Sequence, residues 1–231
     1  MREQQTQTTH IILNLDERAN RILDVAARLI VRYGYDKTTM DDIAAAATIS
    51  KSTMYLYWKS KDELFQALIT RETLQLFDEW LERVQADPAG GTLFNIYRQG
   101  FLTLLAHPLM TAFYTRDSYV LGNYVRRRGP AVYVRPYLLN RAFVRQLQVA
   151  GLIRTDLRDD IINHVLMLIS VGLFSIGELI PQEHSPPFEE VAGALAEMVQ
   201  RALEPEQPGD PEQGIQALQA YLEQLSIEAS E

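Results

Sequence analysis

Apolar side chains recur every three or four positions along most of the chain, which is the period of an α-helix. In the first segment the pattern runs from Ile22 to Tyr33, and Gly34 then provides a C-terminal stop. Asn14, followed three residues later by Glu17, predicts the start of this helix. The first 70 residues contain no alternating strand pattern, so their periodicity predicts helices only.

Three more helix starts follow closely. Thr39 with Asp42 predicts the second helix, and Ser50 opens a short third one. Ser60 with Glu63 has the pattern of a capping box, which predicts the start of a long fourth helix.

The pattern breaks at residues 86–92 and then indicates helices again. Their expected ranges are 93–106, 108–125, 130–150, 159–179 and 187–203. An acidic Pro/Gly linker at 203–214 precedes an amphipathic helix at 215–225. We expect this last helix to dock on its own body or on a dimer mate, the alternative being a disordered acidic tail. The pattern as a whole predicts an all-α protein of about ten helices.

The second and third helices have the spacing of a helix-turn-helix pair. Apolar residues stand where two short helices would share a core across a three-residue turn, with the small Ala44 at their crossing: Ile43, Ala47, Ile49, Met54 and Tyr57. In such a pair, the N-terminal part of the second helix faces base edges in the major groove of DNA. The exposed front here would consist of Lys51, Ser52, Thr53 and Tyr55, which can bond to bases or phosphates.

Thr39 and Lys61 flank this pair at helix N-termini, where free backbone N–H groups favour an anion. The charge of Lys61 opposes the helix dipole, and a bound phosphate would reverse that cost. Two packed helices without any ligand could have the same spacing, so spacing alone leaves both interpretations open.

Charge distribution modifies this picture. The net charge of −8 argues against nucleic acid only if the charges are spread evenly. Residues 1–71 carry ten basic and nine acidic side chains, residues 72–231 carry twelve and twenty-one, and all four lysines lie between positions 37 and 61. The chain has no cysteine, which excludes disulfides and thiolate metal sites. Without a signal-peptide pattern or a long apolar run, a cytoplasmic protein is expected.

The run from Arg21 to Leu68 resembles the N-terminal domain of TetR-family transcriptional regulators. The positions that carry the resemblance are Ala26, Gly34, Thr38, Thr39, Ile43, Ala44, Ala47, Ser50, Tyr55, Tyr57, Trp58, Lys61 and Leu64. The resemblance implies a homodimer that binds a pseudo-palindromic DNA operator and that acts as a repressor released by a small apolar or aromatic effector. Whether the effector releases or promotes DNA binding stays open.

The implied organisation is an N-terminal arm (1–15), a helix-turn-helix DNA-binding domain (16–70), an effector-binding and dimerisation domain (71–204), and an acidic linker with a terminal helix (205–231). The predicted DNA-binding residues are Thr39, Ser50, Lys51, Ser52, Thr53, Tyr55, Tyr57 and Lys61. Neither a cofactor nor a metal is expected.

Two positions depart from the family pattern. Thr48 stands in the turn where the family usually has glycine, and Trp58 stands where it usually has phenylalanine. Because threonine is strained in a left-handed turn, a different turn backbone is expected. Trp58 is expected to pack in the core.

The segment 159–179 is apolar around almost its whole circumference, which predicts burial on every side. We interpret it, together with 187–203, as a dimer interface; a central core helix is the alternative. The predicted interface residues are Ile162, Leu166, Ile169, Leu173, Leu195 and Val199.

An aromatic series in the middle helices predicts an effector pocket, because such pockets are mostly apolar with a few polar groups. Its predicted residues are Tyr97, Phe101, Phe113, Tyr114, Tyr137, His164 and Phe174. Ordinary core packing is the alternative for each aromatic residue, and a buried interface histidine is the alternative for His164. Arg126–Arg128 is interpreted as a solvated helix end in preference to an acid-binding clamp.

The four histidines are far apart, and no metalloprotease, nucleophile-elbow or phosphate-loop motif is present. We therefore do not expect an enzyme. The alternatives are an adaptor that has lost DNA binding or, more remotely, an all-α hydrolase.

Overall fold

The computed structural model describes residues 16–129 and 131–230, and the described residues form helices and loops without strands. The α-helices are α1 (Glu17–Tyr33), α2 (Met40–Ala46), α3 (Lys51–Tyr57), α4 (Lys61–Ala86), α5 (Leu93–Ala106), α6 (Pro108–Thr115), α7 (Ser118–Leu121), α8 (Asn123–Arg128), α9 (Ala131–Val149), α10 (Asp159–Ser175), α11 (Phe188–Leu203) and α12 (Pro211–Ser230). Short 3₁₀ helices lie at Ile176–Glu178 and Gln182–His184. The predicted all-α class is confirmed, with twelve α-helices in the described parts instead of about ten.

Helix α1 is capped by Asp16, whose carboxylate accepts a hydrogen bond from Ala19 N–H at 2.7 Å. The start predicted at Asn14 lies outside the described residues. At the other end, Gly34 has φ 86° and lies so close to Tyr119 that an added Cβ would stand 2.5 Å from the Tyr119 carbonyl oxygen. Glycine is therefore required there by both conformation and packing.

The turn between α2 and α3 keeps the left-handed backbone that the threonine was expected to prevent. Thr48 has φ 56°. Its N–H donates to Ala45 O at 3.1 Å and Ile49 N–H donates to Ala44 O at 3.0 Å, the two bonds of a Schellman closure. The prediction of a different turn was wrong because these bonds and the packing of Ile49 on the core offset a strain of about 1–2 kcal/mol.

A first hydrophobic core joins α1–α4 to the segment α6–α8. Its buried members include Ile22, Ile43, Met54 and Phe65 from the N-terminal helices. Trp58 is also buried in it, as expected. Leu109, Ala112, Val120, Leu121, Tyr124 and Val125 complete this core from α6, α7 and α8. The cores therefore do not divide at residue 70, and the domain boundary stays a prediction.

The helix predicted over 108–125 is in fact three short helices, and that part of the prediction was wrong. Arg116 adopts a left-handed conformation with φ 60°, Asp117 caps α7, and Gly122 has φ 51°. At Gly122 an added Cβ would lie 2.5 Å from the Asp36 carboxylate. The break lets the chain fold against the α1–α2 loop, where Tyr35 N–H donates to Val120 O at 2.8 Å.

A second hydrophobic core lies among α4, α5 and α9–α12. Helix α12 packs against α4 and α9, with Leu218, Tyr221 and Leu222 buried. The Tyr221 ring stacks on Phe143 with a centroid distance of 4.4 Å. Of the outcomes considered for the terminal helix, docking on its own body is the one observed, and the helix is longer than the predicted 215–225.

Candidate functional site

The N-terminal part of α3 presents a polar, exposed front. The Ser50 hydroxyl caps the helix by accepting from Thr53 N–H at 3.1 Å, and it also lies 2.8 Å from Ser52 Oγ and 2.9 Å from Thr53 Oγ1. Lys51, Ser52 and Tyr55 are exposed, and Thr53 is half-buried. Four of the predicted DNA-binding side chains therefore share one surface with the Ser50 cap.

Leu56 belongs to the same helix and was not among the predicted residues. Its side chain is 85% exposed, an unusual position for a large aliphatic group. Leucine at this place can contact the methyl group of thymine. The signal in the sequence is an apolar residue out of phase with Met54 and Tyr57, which point into the core.

Lys51 forms an ion pair with Asp41 in the first turn of α2. The carboxylate raises the pKa of the Lys51 ammonium, first through the hydrogen bond and then through the opposite charge. Lys51 therefore remains protonated, and a DNA phosphate would have to compete with Asp41 for it.

Lys61 and Thr39 are both engaged within the protein. The Lys61 Nζ donates to Tyr35 O at 2.8 Å and to Thr38 O at 3.0 Å, and it stands 4.1 Å from the centroid of the Tyr35 ring. Burial lowers the pKa of this ammonium. Thr39 forms a reciprocal capping box with Asp42. The two side chains tie down the α1–α2 loop and the start of α2, with Lys61 half-buried and Thr39 exposed.

The Tyr57 hydroxyl donates to the Asp16 carboxylate at 2.8 Å and so connects the end of α3 to the cap of α1. Hydrogen bonds from Ala19 N–H and then from Tyr57 lower the pKa of Asp16. Among the predicted DNA-binding residues, Tyr57 is thus placed to hold α3 against α1.

We predict that Asp16→Ala lowers the free energy of unfolding at pH 7, because it removes the N-cap of α1. Because the folded pKa of Asp16 lies below its unfolded value, its stabilisation is present above the unfolded pKa and is lost as pH falls through the folded one. Urea unfolding at pH 7 and at pH 3 measures both effects. Glu17→Ala is the control; an equal loss for the control would contradict the cap assignment.

An open groove runs between the first turns of α1 and the start of α3. It is lined by Arg18, Arg21, Ala47, Thr48, Ile49, Ser50 and Thr53. Both arginines are exposed, and they add two cations beside the Ser50 cap. They were not among the predicted site residues, although their spacing of three on α1 places them on one side of that helix.

The structure brings together four of the seven residues predicted for the effector pocket. Tyr97 and Phe101 of α5, Tyr114 of α6 and Phe174 of α10 form one chain of ring contacts. Phe113 instead packs on the first core. Tyr137 and the exposed His164 face each other elsewhere, with 3.4 Å between the Tyr137 hydroxyl and His164 Nδ1.

The six residues predicted for the dimer interface do not share one exposed face. Ile162, Leu166 and Val199 are buried in the second core of the chain itself, where a partner could not reach them. Ile169, Leu173 and Leu195 are half-buried. The large apolar side chains exposed on these helices are Ile161, Val165, Leu168 and Met198.

Within the described ranges, no helix combines the length and the hydropathy needed to cross a membrane. The same residues include no group of three or more side chains suited to bind a metal ion.

Comparison with known proteins places the N-terminal helices in a family. Residues 22–68 match the model described as "Bacterial regulatory proteins, tetR family". An uncharacterized HTH-type transcriptional regulator, YhgD of Bacillus subtilis, is 38% identical over 69 residues, which are 29% of this chain and 36% of that protein. The HTH-type transcriptional regulator QacR of Staphylococcus aureus is 29% identical over 100 residues, 42% of this chain and 53% of that protein. The chain thus spans about a third to a half of these relatives.

Solved structures resemble the chain over a greater length. The fatty acid degradation regulator FadR from Bacillus halodurans has a TM-score of 0.62 at 16% identity, covering 80% of this chain and 96% of that one. The ketosteroid transcriptional regulator KstR2 of Mycobacterium tuberculosis has a TM-score of 0.55 at 18% identity, covering 83% and 97%. At such identities the likeness concerns the fold alone. Residues 22–68 thus carry the N-terminal helices of the tetR family of bacterial regulatory proteins, and the chain as a whole shares an all-helical fold with these two solved regulators.

Proposed function

We propose that the protein is a dimeric repressor that binds a pseudo-palindromic DNA operator through residues 16–70 and releases it when an effector binds within residues 71–204. Members of the family are non-enzymatic transcription factors, in agreement with the expectation that the chain is not an enzyme. A relative in Mycobacteroides abscessus is named as a DNA-binding transcriptional repressor, which supports the repressor role.

The exposed front of α3 is the observation that carries the DNA-binding proposal. Ser52, Thr53 and Tyr55 can bond to base edges or phosphates, and Leu56 can contact a thymine methyl group. Arg18 and Arg21, in the neighbouring groove, supply cations for the phosphate backbone on the same side of the molecule. The Lys61 ammonium would act indirectly, by holding the loop that precedes Thr39, unless DNA draws it away from the carbonyls that it bonds.

The proposed dimer interface lies on the exposed stripe of α10, defined as Ile161, Val165 and Leu168. These residues follow the spacing of one helix face, and Gly172 continues it with no other atom within 4 Å of an added Cβ. Met198, on α11, is 67% exposed. A partner covering this stripe would bury the apolar side chains that the second core leaves outside.

An electrophoretic shift assay with DNA from upstream of the protein's own gene tests the proposed function. We expect sequence-selective binding that weakens steeply as salt rises, because bound phosphates displace counterions. The absence of selective binding under all salt conditions would favour the adaptor interpretation.

Within that assay, Tyr55→Ala and Lys51→Ala are each expected to weaken operator binding about tenfold or more, which corresponds to the cost of about 1–3 kcal/mol for a specific contact. Lys51→Ala should also reduce the salt dependence. Arg154→Ala is the matched control, since Arg154 is an exposed cation paired with Asp156 in the second half of the chain. If the three variants bind DNA alike, the assignment of α3 as the recognition helix is wrong.

A further inference from the structure

Thr48, in the turn between α2 and α3, holds a backbone conformation that favours glycine. Its φ of 56° lies in the left-handed region, where a β-branched residue is strained. The hydrogen bonds that close the turn, Thr48 N–H to Ala45 O and Ile49 N–H to Ala44 O, use backbone atoms only. Glycine would form the same two bonds without the strain. The fold of the turn therefore gives no reason for a threonine at this position.

The Thr48 side chain does not serve the hydrophobic core either. Thr48 is exposed, whereas its neighbours Ala47 and Ile49 pack against the first core. Its side chain instead lines the open groove beside Arg18 and Arg21 of α1. Strained backbone conformations in proteins are concentrated at functional sites. We therefore look for the role of this threonine in the groove.

The groove has the chemistry of a site for an anionic oxygen ligand. Its seven lining residues are two arginines, three residues with hydroxyl groups and two aliphatic residues, and none of the seven is acidic. Guanidinium groups and hydroxyl donors both bind phosphate oxygens. The Arg18 guanidinium also interacts with the Asp16 carboxylate and the Tyr57 hydroxyl, so part of its charge is already matched. An anion in the groove would supply the rest.

The position of the groove points to DNA as the source of that anion. Ser50 and Thr53, whose hydroxyl oxygens lie 2.9 Å apart, line the groove and also belong to the exposed front of α3. When such a front faces base edges in the major groove, the residues beside it face the phosphates. Both arginines are exposed, and water and salt screen their attraction for a single ion, whereas DNA carries a continuous row of phosphates.

We propose that the groove binds one phosphate of the operator backbone, and that the Thr48 hydroxyl donates a hydrogen bond to this phosphate while Arg18 and Arg21 neutralise its charge. The threonine then lowers the stability of the turn and raises the affinity for DNA. The proposal rests on the proposed function, and it adds a contact outside the front of α3.

Three substitutions of Thr48 separate the effect of the hydroxyl from that of the strain. Thr48→Gly is expected to raise the midpoint of thermal unfolding by about 2–4 °C and to weaken operator binding about tenfold, because it relaxes the backbone and removes the hydrogen bond. A substitution that only damaged the fold would lower both. Thr48→Ala should weaken binding equally with a smaller change in stability. Thr48→Ser, which keeps the hydroxyl, should bind within about twofold of the unsubstituted chain. Gel shifts and thermal unfolding of the full chain measure these effects.

Arg116→Gly is the matched control. Arg116 is the other non-glycine residue with a left-handed backbone in the described ranges, at φ 60°, and it follows α6 without lining the groove. Its replacement by glycine should leave operator binding unchanged.

The arginines are tested by the salt dependence of binding. Arg21→Ala should reduce the slope by about one, whereas Thr48→Ala removes no charge and should leave the slope unchanged. Ethylation of single phosphates identifies the contact. One ethylated position in each half-site should interfere with binding of the unsubstituted chain and cease to interfere with both variants.

The proposal is overturned if Thr48→Gly or Thr48→Ala binds the operator as tightly as the unsubstituted chain, or if Thr48→Ser loses as much affinity as Thr48→Ala. It is also overturned if Thr48→Gly unfolds at a lower temperature, or if Arg116→Gly weakens binding to the same extent. In all these cases the unsubstituted chain still binds its operator, so the proposed function stands. Absence of selective binding by the unsubstituted chain would overturn both.

Discussion

Leu168→Asp is expected to convert the proposed dimer into monomers and to weaken operator binding at least a hundredfold. Leu168 is 61% exposed in the middle of the α10 stripe. In the proposed dimer an aspartate would be buried among apolar side chains of the interface, without a counter-charge, at a cost of several kcal/mol. Two linked DNA-binding heads gain about a hundredfold or more in avidity over one, and a monomer loses that gain.

Analytical ultracentrifugation would determine the oligomeric state of the Leu168→Asp variant, and a gel shift its operator affinity. Val149→Asp is a suitable control, since Val149 is an exposed aliphatic residue at the end of α9 and outside the stripe. A variant that remains dimeric would show that α10 does not form the interface. Monomers with undiminished operator affinity would contradict the bivalent mode of binding.

Arg71→Ala is expected to lower the free energy of unfolding by about 3 kcal/mol, because it breaks a buried ionic network. The Nη1 atom of Arg71 donates to the Asn20 carbonyl oxygen at 2.9 Å and lies 2.8 Å from the Asp24 carboxylate; both residues belong to α1. Its Nη2 reaches Glu72 at 2.7 Å. The Arg71 side chain is 8% exposed and that of Glu72 is 14% exposed, so removing the guanidinium would leave a carboxylate enclosed and unpaired.

Arg83→Ala is the matched control for this experiment. Arg83 also lies on α4 and also bonds a glutamate of that helix, Glu79, but its side chain is 40% exposed. Exposed pairs of this kind contribute about 0–1 kcal/mol. Chemical denaturation of both variants gives the comparison, and equal losses would show that the burial of Arg71 has no special energetic role. Arg71→Lys should be intermediate, since an ammonium cannot bond in the forked geometry of a guanidinium.

Because Arg71 joins α4 to α1, its network also holds the N-terminal helices on α4. Helix α4 then continues into the second core. A sequence pattern does not reveal such a connection. Arg71 and Asp24 are 47 positions apart, and nothing in the local spacing of either residue indicates the other. By contrast, the caps at Thr39, Ser50 and Ser60 depend on residues three positions away, and local patterns predict those well.

Lys61 illustrates why the candidate site was only partly predictable. A lysine in the first turn of a helix indicates an anion, because its charge opposes the dipole. In the folded protein, carbonyl groups of Tyr35 and Thr38 reach its ammonium from more than twenty residues away. They supply the negative partner that the local pattern assigned to DNA.

The amino-acid sequence by itself determined the helical class, the helix-turn-helix spacing and the family, because each depends on local periodicity and on caps within a few residues. Tertiary structure decided which side of each helix stays outside. The apolar circumference of α10 predicted burial on every side, but packing on the second core covers Ile162 and Leu166 and leaves Ile161, Val165 and Leu168 exposed. It likewise placed Phe113 in one core and Phe174 against the rings of Phe101 and Tyr114. These outcomes depend on the mutual orientation of elements distant in sequence, which the period of a single helix does not contain.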